Sequence, residues 1–215
     1  MRVRKVVTRS GRGMRGKFPS RKLGQHVHWE STRERDAILM FELHPLVLSY
    51  QEQPSADTYY DDEGTAHTCY PDFLLRTVGG KELLIEVKRS ADLARPSIKR
   101  KLALIAMRYA ELGRTYRVIT EHEIRREPLH SNLQLLWEAV RAIVLPPAAH
   151  CAVGELSPQR MYTVADLVPV LGNQQTVYAL IALGRLRTNL EVQMNQTSFV
   201  WTPDNLEAGD GAFSI

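Results

Sequence analysis

Three side chains between Tyr70 and Lys88 have the types and spacing to hold a cation against a phosphate. They are Asp72 in Tyr70-Pro71-Asp72-Phe73, and Glu86 and Lys88 in Leu84-Ile85-Glu86-Val87-Lys88. Two carboxylates on one surface repel each other unless a cation joins them. Hard oxygen ligands completed by water and phosphate suit Mg2+, with Mn2+ as a substitute. A lysine two residues beyond one ligand can neutralise developing charge or orient an attacking water, whose pKa such a metal lowers. The chemistry implied is hydrolysis of a phosphodiester.

The elements around these residues are strands. Tyr70–Arg76 and Glu82–Lys88 are apolar runs separated by Gly79-Gly80, which predicts a β-hairpin. Side chains alternate faces along a strand, so Glu86 and Lys88 share a side that Val87 leaves. Asp72 opens the partner strand, where Pro71 is tolerated, and the hairpin can bring its carboxylate alongside Glu86. A purely structural account would make these an exposed cross-strand charge pattern. Glu-x-Lys alone is common, whereas Pro-Asp before an apolar strand, then a Gly-Gly turn and Ile-Glu-Val-Lys, is far more selective.

Upstream, Ser31-Thr32-Arg33-Glu34 opens a segment with Ala37, Ile38, Phe41 and Leu43 as an apolar stripe, ending at His44-Pro45. It reads as a short amphipathic helix. Ser31 and Glu34 have capping-box spacing, so local capping alone would explain Glu34. Val47–Pro54 reads as a strand ending in Gln53-Pro54, where the Gln53 amide could tie down a turn or touch a substrate.

The order of Glu34 on a first helix, the strand to Gln53-Pro54, Pro71-Asp72-Phe73-Leu74 and Ile85-Glu86-Val87-Lys88 resembles the TnsA family, the endonuclease subunits of heteromeric transposases. Val118-Ile119-Thr120-Glu121-His122-Glu123-Ile124 looks like the family's strand-to-helix passage, so the likeness covers roughly Gly16 to Val144. It implies the restriction-endonuclease-like PD-(D/E)xK fold, with Glu34, Asp72 and Lys88 catalytic. Some members carry Gln where this chain has Glu86, so Glu86 fits the wider nuclease superfamily better. The expected metal ligands are Glu34, Asp72 and Glu86, with Mg2+ as cofactor. Glu30 and Glu42 lie near Glu34, and the Ser-x-x-Glu register favours Glu34. The resemblance further implies cleavage at the 5′ ends of a transposon, beside a DDE transposase (TnsB-like) and an AAA+ ATPase (TnsC-like).

The chain has 215 residues and a net charge of +4, and the charge is unevenly placed. Nine of its 28 basic residues (Arg2, Arg4, Lys5, Arg9, Arg12, Arg15, Lys17, Arg21 and Lys22) precede the first acid, Glu30, leaving 19 against 24 acidic residues. With Gly11, Gly13 and Gly16, residues 1–22 read as a flexible basic arm that grips DNA phosphates, Arg9, Arg12, Arg15, Lys17, Arg21 and Lys22 among them. The alternative is a solubilising tail. Cys69 and Cys151 are too few for a disulfide framework, no apolar run approaches a membrane span, and the start lacks a signal-peptide core. A cytoplasmic protein is expected.

Pro96–Leu112 has Ile98, Leu102, Ile105, Ala106, Tyr109 and Leu112 on one face and predicts a packed helix. Lys99, Arg100 and Lys101 in its first turn oppose the helix dipole, which makes an anionic partner, DNA, plausible beside the plainer reading of a solvated face. A strand from Tyr116 to Thr120 and a helix from about Leu129 to Ala142 follow. Together these predict an α/β nuclease domain over 23–145, a mixed sheet flanked by helices.

Leu145-Pro146-Pro147-Ala148-Ala149 reads as a linker. Over 150–215, a capped helix at Thr163-Val164-Ala165-Asp166, a second helix through Val177, Leu180 and Ile181, and strands at Arg185-Leu186-Arg187 and Ser198–Trp201 suggest a small winged-helix-like domain. Gln174, Gln175 and Tyr178 are its base-reading candidates, and docking to a protein partner is an equal alternative. His26 with His28, and His67 with Cys69, lack a second pair at zinc spacing, and no phosphate-binding Gly-rich loop is present. A stand-alone nuclease and a non-catalytic DNA-binding adaptor remain open alternatives.

Overall fold

The computed structural model describes residues 14–204 and Ile215; Arg9 and Arg12 of the basic arm lie outside the described residues. The chain divides into two compact units. One comprises the residues up to Glu42 with Leu46–Ile124, and the other Leu43–Pro45 with the residues from Arg125 onward. No helix among the described residues is long and apolar enough to cross a membrane.

The first unit opens with β1 (Gly16–Ser20) and β2 (Gln25–Trp29), an antiparallel hairpin. Residues 16–20, expected within a flexible arm, are thus strand. Phe18 and Val27 pair across the hairpin and both are buried, which gives the backbone a reason to order. Helix α1 (Thr32–Leu43) follows, then β3 (Val47–Glu52). The helix buries Asp36 and Glu42 as well as Ala37–Phe41, a wider buried surface than the expected stripe. A second hairpin, β4 (Asp57–Tyr60) with β5 (Ala66–Cys69), has no counterpart in the sequence reading.

Next come β6 (Phe73–Thr77) and β7 (Glu82–Val87), joined through the expected Gly79-Gly80 turn, in which Gly80 has φ +77°. A short α2 (Ser90–Leu93), α3 (Pro96–Glu111), β8 (Thr115–Ile119) and a short α4 (Glu121–Ile124) complete the unit. The main sheet runs β3-β6-β7-β8; β3, β6 and β7 are antiparallel, while β8 joins β7 in parallel. Helix α3 supplies the crossover that a parallel pair requires.

The two faces of β6 and β7 follow from alternation. Phe73 and Ile85 are paired and buried, and Phe73 meets Phe41 of α1 edge-on at 5.4 Å. Such a contact contributes about 0.5–1.5 kcal/mol beyond area burial. On the other face Leu74 and Leu84 pack with Ile105 and Tyr109 of α3, and with Tyr59 and Cys69 of the β4–β5 hairpin.

The second unit contains α5 (Leu129–Ala142), α6 (Pro147–Gly154), β9 (Tyr162–Thr163), α7 (Val164–Leu171), α8 (Gln174–Ala182), β10 (Arg187–Thr188) and β11 (Phe199–Trp201). Strands β10, β11 and β9 form a small antiparallel sheet in that order. Two expectations differ from this arrangement. The expected linker at 145–149 runs into α6, since Pro147 suits a first helical turn. Helix α5, expected within a 23–145 nuclease domain, instead packs against α8 in the second unit. Its face of Leu133, Leu136, Trp137 and Val140 is buried there, and Asn132 holds the loop before β11 through Leu190 O, Val192 O and Met194 N. The expected capping box forms: Thr163 Oγ1 accepts from Asp166 N at 3.1 Å, and Asp166 accepts from Thr163 N at 2.8 Å.

Candidate active site

Asp72 stands one residue before β6, and Phe73 pairs with Ile85, so the hairpin register sets Asp72 beside Glu86. Its Oδ2 accepts a hydrogen bond from Val87 N at 2.7 Å. That bond turns the carboxylate toward β7. Lys88 Nζ donates to Glu86 Oε1 in a close ion pair, with the Glu86 side chain 14% and the Lys88 side chain 30% exposed. The i, i+2 spacing on one strand face is what lets these two meet.

Glu34 lies in the first turn of α1. Its carboxylate accepts from Glu30 N at 2.8 Å and Ser31 Oγ at 2.9 Å, while Ser31 Oγ accepts from Glu34 N at 3.2 Å. The local capping role expected of Ser31 and Glu34 is therefore realised. The same carboxylate lies within electrostatic reach of Asp72 and Lys88.

Charge is unbalanced in this group. Desolvation, then Glu86 and Glu34, push the Asp72 carboxyl well above the ordinary carboxylate range, against the charge of Lys88 and the Val87 N–H. Burial also raises Glu34, opposed by its two hydrogen bonds and by Lys88. Burial works against the Lys88 ammonium, but Glu86, Asp72 and Glu34 outweigh it and hold its proton more tightly than usual. Three acids therefore share one lysine.

That donor set suits a hard divalent cation: Asp72 and Glu86 offer oxygens in a region short of positive charge. Among the described residues, however, no three carboxylate, imidazole or thiol groups converge as a ready cage. Glu34 faces its own helix start, and Glu86 faces Lys88.

The surroundings brace the site. Gln53 has φ +42°, in the left-handed region that favours glycine, so its backbone is strained. Its N–H donates to Asp72 O at 2.9 Å and its Nε2 to Glu30 Oε1 at 3.1 Å, an amide that ties down a turn beside Asp72. Beyond Lys88, Ser90 N donates to both Glu121 carboxylate oxygens at 3.1 and 3.2 Å. Glu42, which sequence order alone could confuse with Glu34, is buried elsewhere, bonded to Ser20 Oγ, Arg21 N, Lys22 N and Tyr50 Oη. Neither the Val87 nor the Ser90 contact has a sequence signal, because each joins segments far apart in the chain.

The basic residues fall into different settings. Arg15, Lys17 and Arg21 are exposed at the first hairpin, whereas Lys22 Nζ donates to Phe41 O at 2.8 Å. On α3, Lys99 and Lys101 are exposed, and Arg100 Nε donates to Asp62 at 2.8 Å. Of the candidate base readers on α8, Gln175 is exposed, while Tyr178 is buried and accepts from Gln174 Nε2 at 2.8 Å.

Residues 44–121 match the family model for the TnsA-like endonuclease N-terminal domain. The matched stretch contains Gln53, Asp72, Glu86 and Lys88, and begins after Glu34. A comparison with curated proteins gives no match.

Proposed function

Since the chain belongs to the TnsA family through the endonuclease domain at residues 44–121, we propose that it is the metal-dependent DNA endonuclease subunit of a heteromeric transposase, cutting the 5′ ends of the transposon during cut-and-paste transposition. The observation that carries this reading is that the matched domain brings together Asp72, held to β7 by Val87 N–H, and the Glu86–Lys88 ion pair.

Asp72 and Glu86 would hold Mg2+ or Mn2+, with Glu34 as third ligand on leaving its cap. When bound, such an ion neutralises phosphate charge and acidifies a water. Lys88 is the residue that steadies charge on the phosphate or orients the attacking water. Val87 N–H aims the Asp72 carboxylate at β7. Arg9, Arg12, Arg15, Lys17, Arg21 and Lys22, with Lys99, Arg100 and Lys101, would meet DNA phosphates. The second unit, with helices α7 and α8 beside a three-stranded sheet, serves as a winged-helix-like module. Docking to the TnsB-like transposase or TnsC-like ATPase suits it better than base reading, because Tyr178 is buried against its own unit.

The test is nicking of supercoiled plasmid carrying transposon ends, with Mg2+ or Mn2+, by wild type and Asp72→Asn, with and without the transposase. Cleavage by wild type only in the presence of the transposase supports the proposal, and partner-free cleavage points to an autonomous nuclease. If neither protein cuts in any combination, with the ATPase also supplied, while both bind DNA, the chain is an adaptor.

A further inference from the structure

Tyr116 lies beside the carboxylates without belonging to any motif. In the parallel pairing of β7 with β8 it stands opposite Leu84, two residues before the Glu86–Val118 pair. Its side chain therefore shares the sheet face of Leu84 and Glu86. A strand spacing of about 4.8 Å and a two-residue rise of roughly 6.6 Å put Glu86 about 8 Å away between positions.

The ring is seated against Tyr109 of α3, centroids 5.2 Å apart, at the margin of the core under the sheet. The two phenols differ in one respect. Tyr109 Oη donates to Asp57 at 2.8 Å, whereas Tyr116 Oη is buried and has no hydrogen-bond partner among the described residues. A buried hydroxyl without a partner costs free energy, and such exceptions call for an explanation. Its surroundings give one: after desolvation, the charges that act on the Tyr116 hydroxyl most strongly are those of Glu86 and Asp72.

We infer that Tyr116 is a positioning residue for the nuclease site, its hydroxyl placed to donate to Glu86 once Lys88 releases that carboxylate. Lys88 now satisfies Glu86, yet the proposed reaction needs Lys88 at the phosphate. Moving the lysine strips Glu86 of its donor, and Tyr116 carries a spare one on the same face. A hydrogen bond from outside orients a ligating carboxylate and raises its affinity for the ion, typically by 10–100-fold. The inference rests on the nuclease reading of Asp72 and Glu86.

The experiment titrates Mn2+ into the full chain by electron paramagnetic resonance, comparing wild type, Tyr116→Phe and Asp72→Asn, with a thermal melt of each in metal-free buffer. Phe keeps the ring on Tyr109 and removes only the spare hydroxyl. The expected result is that Tyr116→Phe binds Mn2+ about ten-fold or more weakly, with a melting temperature equal to or above that of wild type. Wild-type Mn2+ affinity in Tyr116→Phe, with binding lost in Asp72→Asn, overturns the role of Tyr116 and leaves the nuclease site standing. A fall in melting temperature together with affinity would make Tyr116 merely structural, which also overturns the inference. If Asp72→Asn binds as wild type does, or wild type shows no binding, the metal-site reading itself fails and the inference falls with it.

Discussion

The Asp72 carboxylate accepts the Val87 backbone N–H at 2.7 Å, so the acid that precedes one hairpin strand is clasped by the strand that carries Glu86, with Lys88 directly after its end. The bond orients Asp72 but leaves it buried beside two other acids, and burial first, then Glu86 and Glu34, raise its pKa. Orientation here is maintained at the expense of charge repulsion.

A carboxyl whose folded pKa lies above its unfolded value destabilises the fold as pH rises from the unfolded pKa through the folded one. Ionising Asp72 therefore burdens the fold, and Asp72→Asn cannot ionise while keeping an oxygen for Val87 N–H. In metal-free buffer at pH 7, Asp72→Asn is expected to melt higher by about 2–4 °C, the shift that roughly 1 kcal/mol gives in a chain of this size. The gain should fade as pH is lowered toward the ordinary Asp range, and thermal melts across pH check this. A variant that melts lower at every pH would contradict it.

Lys88→Ala should lower metal-dependent plasmid nicking by about 10²–10³-fold, as loss of one charge-stabilising donor does in other enzymes. Binding to the same DNA should change little by comparison. Gel-based nicking alongside a binding assay separates the two, and parallel losses would demote Lys88 to a DNA contact.

Glu42 anchors the first hairpin to α1. Its carboxylate accepts from Ser20 Oγ at 2.7 Å, Arg21 N at 2.8 Å, Lys22 N at 2.9 Å and Tyr50 Oη at 2.6 Å, and the residue is 6% exposed. Glu42→Ala strands several buried donors and is expected to cost roughly 2–4 kcal/mol in urea unfolding; Tyr50→Phe removes one donor and should cost about 1 kcal/mol. Equal losses for the two variants would mean that the Tyr50 bond carries the whole effect and the Ser20, Arg21 and Lys22 bonds contribute nothing.

Ser90 and its own backbone N–H hold the Glu121 carboxyl down to about 2, from an ordinary 4.5. A depressed acid adds stability that is present above its unfolded pKa and lost as pH falls through its folded one. Glu121→Gln should therefore melt below wild type at pH 6, and the difference should close between about pH 4.5 and pH 2. Melting curves over that range decide it, and a difference that persists at pH 2 would exclude ionisation as the cause.

Local signals carried a large part of the fold. The helix expected over about Leu129–Ala142 is α5, with those bounds. The Gly79-Gly80 turn joins the two expected strands, and Thr163 with Asp166 closes the expected capping box. Each depends on residues at most a few turns apart, through periodicity, glycine at positive φ, or a side chain reaching its neighbour's backbone. Hairpin β1–β2 has a weak local signal, because its apolar pattern rests on Phe18 and Val27 in a stretch rich in cations. Helix α5 was legible as a helix, but its packing partner, α8, was not.

The sequence by itself determined which groups are available for chemistry: an acid before one strand, and an acid and a lysine two residues apart on the next, so that alternation alone puts Glu86 and Lys88 on one face. Tertiary structure decided how they are engaged. It placed Val87 N–H on Asp72, turned Glu34 to its own cap, locked Glu42 away from the site and left the Tyr116 hydroxyl, within the field of Glu86, without a partner among the described residues. Apart from the Glu34 cap, these relations join residues separated by many positions in the chain. Their geometry is set by strand register and by burial, which exist only once the sheet and its helices have packed.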